Sequence, residues 1–106
     1  MTADRLTVRA TARFFDDLDR QLGTERGPHG EPSTTDFQSL ELLEIVERFA
    51  TGFADLPPLL VGREDYRVLV STGLLVHGFA VVGQLAADGA VELISLELDF
   101  GSDQPE

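Results

Sequence analysis

The sequence predicts an α+β fold: a four-stranded, mainly antiparallel sheet with two helices on one face, in the order β-α-α-β-β-β. Three observations predict it. A short stretch near the start alternates apolar and polar residues, the period of a strand. Two later stretches repeat apolar residues every three or four positions, the period of a helix. From Tyr66 onward the chain is rich in Val and Leu, and is broken by turn residues at Ser71-Thr72-Gly73 and Asp88-Gly89.

The elements follow in order. Leu6, Val8 and Ala10 alternate with Thr7 and Arg9, which gives the first strand. Phe14, Phe15, Leu18 and Leu22 then take helical spacing, with Asp16, Asp17, Asp19 and Arg20 opposite them. Helix one is expected over Thr11 to Leu22, with Gly23 as its stop. Residues 23–34 hold Gly27, Pro28, Gly30 and Pro32 and read as an irregular, exposed linker. Thr35 and Gln38 fit a capping box for helix two, and Asp36 complements its dipole. Helix two extends to about Ala54, ahead of Pro57-Pro58.

Three strands complete the set: Tyr66 to Val70, Leu74 to Leu85, and Val91 to Phe100. The middle one is nearly continuously apolar, as a strand buried on both faces would be. Gly78 and Gly83 within it suggest a bulge or a close backbone approach. Asp88-Gly89 is a hairpin signal. On the last strand Ile94, Leu96, Leu98 and Phe100 share one face, and Ser95, Glu97 and Asp99 the other. The domain is expected over residues 1–100, with residues 101–106 as a flexible acidic tail.

Composition excludes several functions. With 106 residues, one domain is expected. There is no cysteine, and His29 and His77 are the two histidines, so thiolate and histidine-rich metal sites are excluded. No metal or cofactor is expected. The net charge of -11, with no lysine, opposes binding to nucleic acid and to anionic membranes. Such a field steers in a basic protein. The N-terminus lacks the apolar run of a signal peptide, and the longest apolar stretch is too short and interrupted to span a bilayer. A cytoplasmic protein is expected.

The element order resembles the RelE/ParE superfamily of bacterial toxins from toxin–antitoxin pairs. The resemblance rests on Leu56-Pro57-Pro58 ending helix two and on the strand Asp65-Tyr66-Arg67-Val68-Leu69-Val70. It continues through Gly78-Phe79-Ala80-Val81-Val82 and Asp88-Gly89-Ala90-Val91-Glu92-Leu93-Ile94. It implies a toxin–antitoxin component with an antitoxin as partner. Members that cleave RNA carry basic and aromatic side chains on the open sheet face and near the C-terminus. Here the last strand ends Ser95-Leu96-Glu97-Leu98-Asp99-Phe100, and acids at that place repel a phosphate. Arg67 matches the strand arginine of the family. The chain is therefore expected to act by protein contact, as the gyrase-directed branch does, and not as a ribonuclease.

No catalytic residue is assigned. The candidate partner-binding residues are Tyr66 and Arg67, the helix-two residues Glu41, Glu44, Glu47, Phe49 and Phe53, and Glu97 and Asp99. The plain alternative for Tyr66 and Arg67 is a core tyrosine and a solvated arginine bridging Glu97 or Asp99. His77 reads as a structural histidine. Arg5, Arg9 and Arg13 read as partners for the surplus carboxylates.

Helix two carries Phe37, Leu40, Leu42, Leu43, Ile45, Val46, Phe49 and Phe53, a stripe too broad for one sheet face. It therefore predicts a second burial, against a partner or in a homodimer. The other function compatible with the residues is an acidic inhibitor or immunity-type protein. Its carboxylates would occupy a basic nucleic-acid-binding groove as a phosphate-backbone mimic.

Overall fold

The computed structural model describes residues 5–28 and 31–99. It is an α+β structure whose five strands form one mixed sheet. Strand β1 (Val8–Ala10) leads into helix α1 (Ala12–Gln21). Helix two follows as three consecutive segments: α2 (Thr34–Asp36), a π-helical stretch (Phe37–Glu41) and α3 (Leu42–Gly52). A 3-10 turn (Phe53–Asp55) then leads to β2 (Pro58–Leu60), β3 (Arg63–Thr72), β4 (Gly78–Leu85) and β5 (Val91–Asp99). The strand order is β1-β5-β4-β3-β2. β1 pairs in parallel with β5, and the other three ladders are antiparallel.

The expected count of four strands is corrected to five. The additional strand is β2, in the segment that the sequence presented only as a helix stop. Proline lacks an N–H and is tolerated on an edge strand, and β2 is an edge. It is tied to β3 by the Val68 N–H, which donates to the Pro57 carbonyl at 3.0 Å.

The expected long strand Leu74 to Leu85 is also corrected. It begins at Gly78. Residues 73–77 form a loop closed by the Gly73 N–H donating to the His77 carbonyl at 3.3 Å. Leu74 and Leu75 cannot enter the ladder, because both donate their N–H groups to the Glu41 carboxylate at 2.8–2.9 Å. Within β4 the sequence signals hold. Pairing with β5 shifts register between Val82 and Gly83. A Cβ on Gly83 would lie 2.5 Å from a ring carbon of Phe49. At the Asp88-Gly89 hairpin, Gly89 takes a positive φ of 90°.

Helix one starts where expected, with Thr11 as its N-cap accepting from the Phe14 N–H. The capping box of helix two sits two residues earlier than expected. Ser33 accepts from the Asp36 N–H at 3.1 Å, and the Asp36 carboxylate accepts from the Ser33 N–H at 3.0 Å. Asp36 also pairs with Arg26 at 2.8 Å. That pair holds its carboxyl well below the ordinary range, helped by the Ser33 amide. Among its described residues the linker is irregular, as expected, but it is not exposed throughout: Pro32 and Ser33 are buried, and the Thr34 N–H donates to the Gly23 carbonyl at 2.9 Å.

The core lies between helix two and one face of the sheet. Phe37, Ile45, Phe49 and Phe53 from the helix meet Leu69, Val81, Val91 and Leu93 from the strands, with Phe14 and Leu18 from α1. The buried positions 37, 41, 45, 49 and 53 are spaced by four. In an α-helix that spacing drifts by about 40° per step, because a turn holds 3.6 residues. A π-helical turn holds more residues. Placed at Phe37–Glu41, it turns Phe37 and Glu41 back towards the face used by Ile45 and Phe49.

Helix α1 covers an edge. β1 pairs with β5 only at Val91–Leu93. Beyond it, the Leu96 N–H donates to the Asp17 carboxylate at 3.0 Å, and the Leu98 N–H donates to the Gln21 amide oxygen at 2.7 Å. The Gln21 amide nitrogen in turn donates to the Leu96 carbonyl at 2.8 Å. Two side chains thus stand in for a missing strand and block the edge to other chains.

Candidate functional site

The sheet has a second face that none of the described helices covers. Directly paired residues share a face, so the ladders define its surface. It runs from Tyr66 opposite Gln84, through Val68 opposite Val82, to Val70 opposite Ala80. Across β5 it continues through Val82 opposite Ser95, Ala80 opposite Glu97 and Gly78 opposite Asp99. Val70 is 71% exposed, although it sits in the middle of an apolar strand.

The face is a groove with two rims. Arg13 and Arg20 stand along α1 on one side, and Leu59 stands on β2 on the other. Val68, Ala80 and Val82 form the floor between them, around a cavity of about 420 Å³. At one end Leu60, Arg63, Tyr66 and Ile94 enclose a further 310 Å³. The Arg63 guanidinium lies over the Tyr66 ring, 4.6 Å from its centre. At the other end Val70, Thr72, His77, Phe79, Ala80, Leu98, Glu97 and Asp99 line a cavity of about 430 Å³.

The structure divides the candidate residues. Tyr66, Glu97 and Asp99 share the open face, with Tyr66 at one end and the two acids at the other. Arg67 does not join them. It lies on the core side with Leu69, its guanidinium 5.7 Å from the centre of the Phe53 ring. It donates to the carbonyls of Glu64 and Leu56, each at 2.7 Å. Arg67 therefore ties β3 to the end of helix two, and neither the functional pair nor the expected bridge to Glu97 or Asp99 forms.

Phe49 and Phe53 are corrected from surface candidates to core residues. Phe49 is fully buried and Phe53 nearly so. Glu41 is corrected likewise, being 1% exposed and engaged with backbone N–H groups. Glu44 and Glu47 are exposed. Glu47 is held by Arg5 at 2.7 Å.

Arg9 pairs with Asp88 at 3.0 Å and Glu92 at 3.1 Å, so two of the three early arginines do partner carboxylates. Arg13 instead stands on the groove rim. His77 is exposed on the cavity wall, and not in the apolar interior its neighbours in sequence suggested. His29, Phe100 and the tail 101–106 lie outside the described residues.

Sequence reasoning passed over Val68, Val70, Ala80, Val82 and Leu59. Their signal was present in the alternation of β3, but uniformly apolar strands hide which face is covered. Among the described residues, no three His, Asp or Glu side chains are grouped to hold a metal ion. No helix among them is long and apolar enough to cross a membrane. No family model, curated protein or solved structure matches the chain.

Proposed function

We propose that this chain is a binding module that acts by protein–protein contact through the uncovered face of its sheet. The observation that carries the reading is the apolar floor formed by exposed Val70 and half-buried Val68, Ala80 and Val82, with the arginines of α1 along one rim. Apolar centres ringed by polar groups are how recognition surfaces gain affinity while staying soluble. The resemblance to RelE/ParE toxins gives the module a setting, with an antitoxin or a protein target as the partner. Glu97 and Asp99 on this face oppose a phosphate backbone, so contact and not RNA cleavage is the proposed mode.

The acidic-inhibitor reading draws on the net charge of -11. Its helix-two edge is weaker than the sequence suggested, because Glu41 is buried and Glu47 is paired with Arg5. Association through helix two is a lesser proposal of the same kind, now resting on Leu40 and Leu43, which are 53% and 63% exposed.

The test is affinity purification from the source cell with the wild-type chain and with Val70→Asp and Val82→Asp. A protein partner should be recovered with the wild type and lost with both variants, while their melting temperatures stay close to wild type. Recovery of the same partner with both variants, or RNA cleavage by the pure chain, would refute the reading.

A further inference from the structure

The uncovered face is not uniform along its length, and its two ends differ in chemistry. The end at β3–β4–β5, about 430 Å³, lies in the volume range of small-ligand sites. Its floor is aliphatic, from Val70 and Ala80. Its polar wall carries His77, Glu97 and Asp99, and among the described residues no arginine lines it. Among the described residues no hydrogen bond or ion pair engages the Glu97 carboxylate. Glu97 is exposed between this cavity and the groove that Arg13 and Arg20 line, and makes no ion pair with either. An exposed carboxylate free of an ion pair favours a cation brought from outside, and the net charge of -11 draws one in.

Building on the proposed role of this face, we propose that the cavity takes an arginine side chain of the protein partner. The stem would lie on Val70 and Ala80, and the guanidinium would meet Glu97. Arginine fits better than lysine for two physical reasons. A guanidinium is more weakly hydrated than an ammonium, so it is withdrawn from water against apolar walls at lower cost. Its flat fork also offers two parallel donors to a carboxylate. Buried arginine anchors recur among the residues that dominate interface energetics.

The experiment titrates the full isotope-labelled chain with hexylguanidinium, hexylammonium and hexanoate, following backbone amide shifts. Hexylguanidinium should move the amides of Val70, Ala80 and Leu98, and bind more tightly than hexylammonium. Hexanoate should not bind. Glu97→Gln should weaken the guanidinium probe about threefold to fivefold, the scale of one partly exposed charge pair. Equal binding of guanidinium and ammonium, or an unchanged response in Glu97→Gln, would overturn the proposal.

Val82→Asp separates this proposal from the reading it rests on, because Val82 lies outside the cavity. If the probe binds Val82→Asp normally and partner recovery is also unchanged, the sheet-face reading fails and the cation site stands. If partner recovery depends on Val82 but the probe binds nowhere, the cation site fails and the sheet-face reading stands.

Discussion

At the scale of single residues, the most consequential side chain is one that reads in sequence as a solvated acid. Glu41 sits between Leu40 and Leu42, in a helix whose edge also carries Glu44 and Glu47, and nothing local separates it from them. Burial separates it. Its two oxygens accept three hydrogen bonds from the N–H groups of Leu74 and Leu75, which fixes the loop that carries His77 to the cavity wall. The loop accommodates it because Gly73 has no Cβ, which would lie 2.9 Å from the same carboxylate and 2.7 Å from the Val76 carbonyl. Glu41→Gln keeps the shape but turns an acceptor into a donor facing donors. It should cost about 2 kcal/mol, the range for hydrogen bonds to a charged group. Urea denaturation measures this, and a loss under about 0.5 kcal/mol would show that the clamp contributes little. Gly83 is the opposite case, because a glycine in an apolar strand run announces a close approach, and Phe49 is what approaches it.

At the scale of elements, periodicity was legible where one face of an element is buried and illegible where side chains replace backbone pairing. Helix one, the existence of β1 and the Asp88-Gly89 hairpin follow from spacing and turn chemistry, although β1 begins at Val8 and not at Leu6. The residues that make α1 a cover for β5 do not, because Asp17 and Gln21 look like ordinary polar positions of an amphipathic helix. Their partners are backbone groups 75 to 79 residues away. Likewise the breadth of the helix-two stripe predicted a second burial. Much of that breadth comes from a spacing of four that the π-helical stretch brings onto one face, leaving Leu40 and Leu43 outside. The double variant Asp17→Ala, Gln21→Ala leaves two N–H groups of β5 without partners at an open edge. At about 1 kcal/mol per lost hydrogen bond, it should lose 2–3 kcal/mol. It should also aggregate on mild heating, as unprotected edges pair with one another. Light scattering beside thermal unfolding tests this, and a variant that melts lower without associating would show that α1 stabilises the edge but is not needed to shield it.

At the scale of the whole molecule, two electrostatic effects oppose each other and salt distinguishes them. Local pairs favour the fold: Arg26 with Asp36, Arg63 with Asp65, and Arg9 with Asp88 and Glu92. Each arginine holds its aspartate partner below the ordinary carboxylate range. A depressed carboxyl contributes stability above its unfolded pKa and loses it as pH falls through the folded value. These three pairs therefore support the fold at neutral pH and give way in acid, below about pH 4. All are solvent-accessible, so each contributes little and is screened by salt. Against them stands a net charge of -11 on a chain of 106 residues. Repulsion among surplus charges grows with the square of the net charge, whereas the pairs only add. Salt near 0.5 M shortens the screening length to about 4 Å, below the spacing of most like charges but comparable to a contact pair. Repulsion is therefore screened more than attraction. The melting temperature at pH 7 should rise between 0.02 M and 0.5 M sodium chloride, and the same salt series near pH 4.4, where the net charge is close to zero, should show no such rise. A melting temperature that falls with salt at pH 7 would mean that the pairs outweigh the net charge.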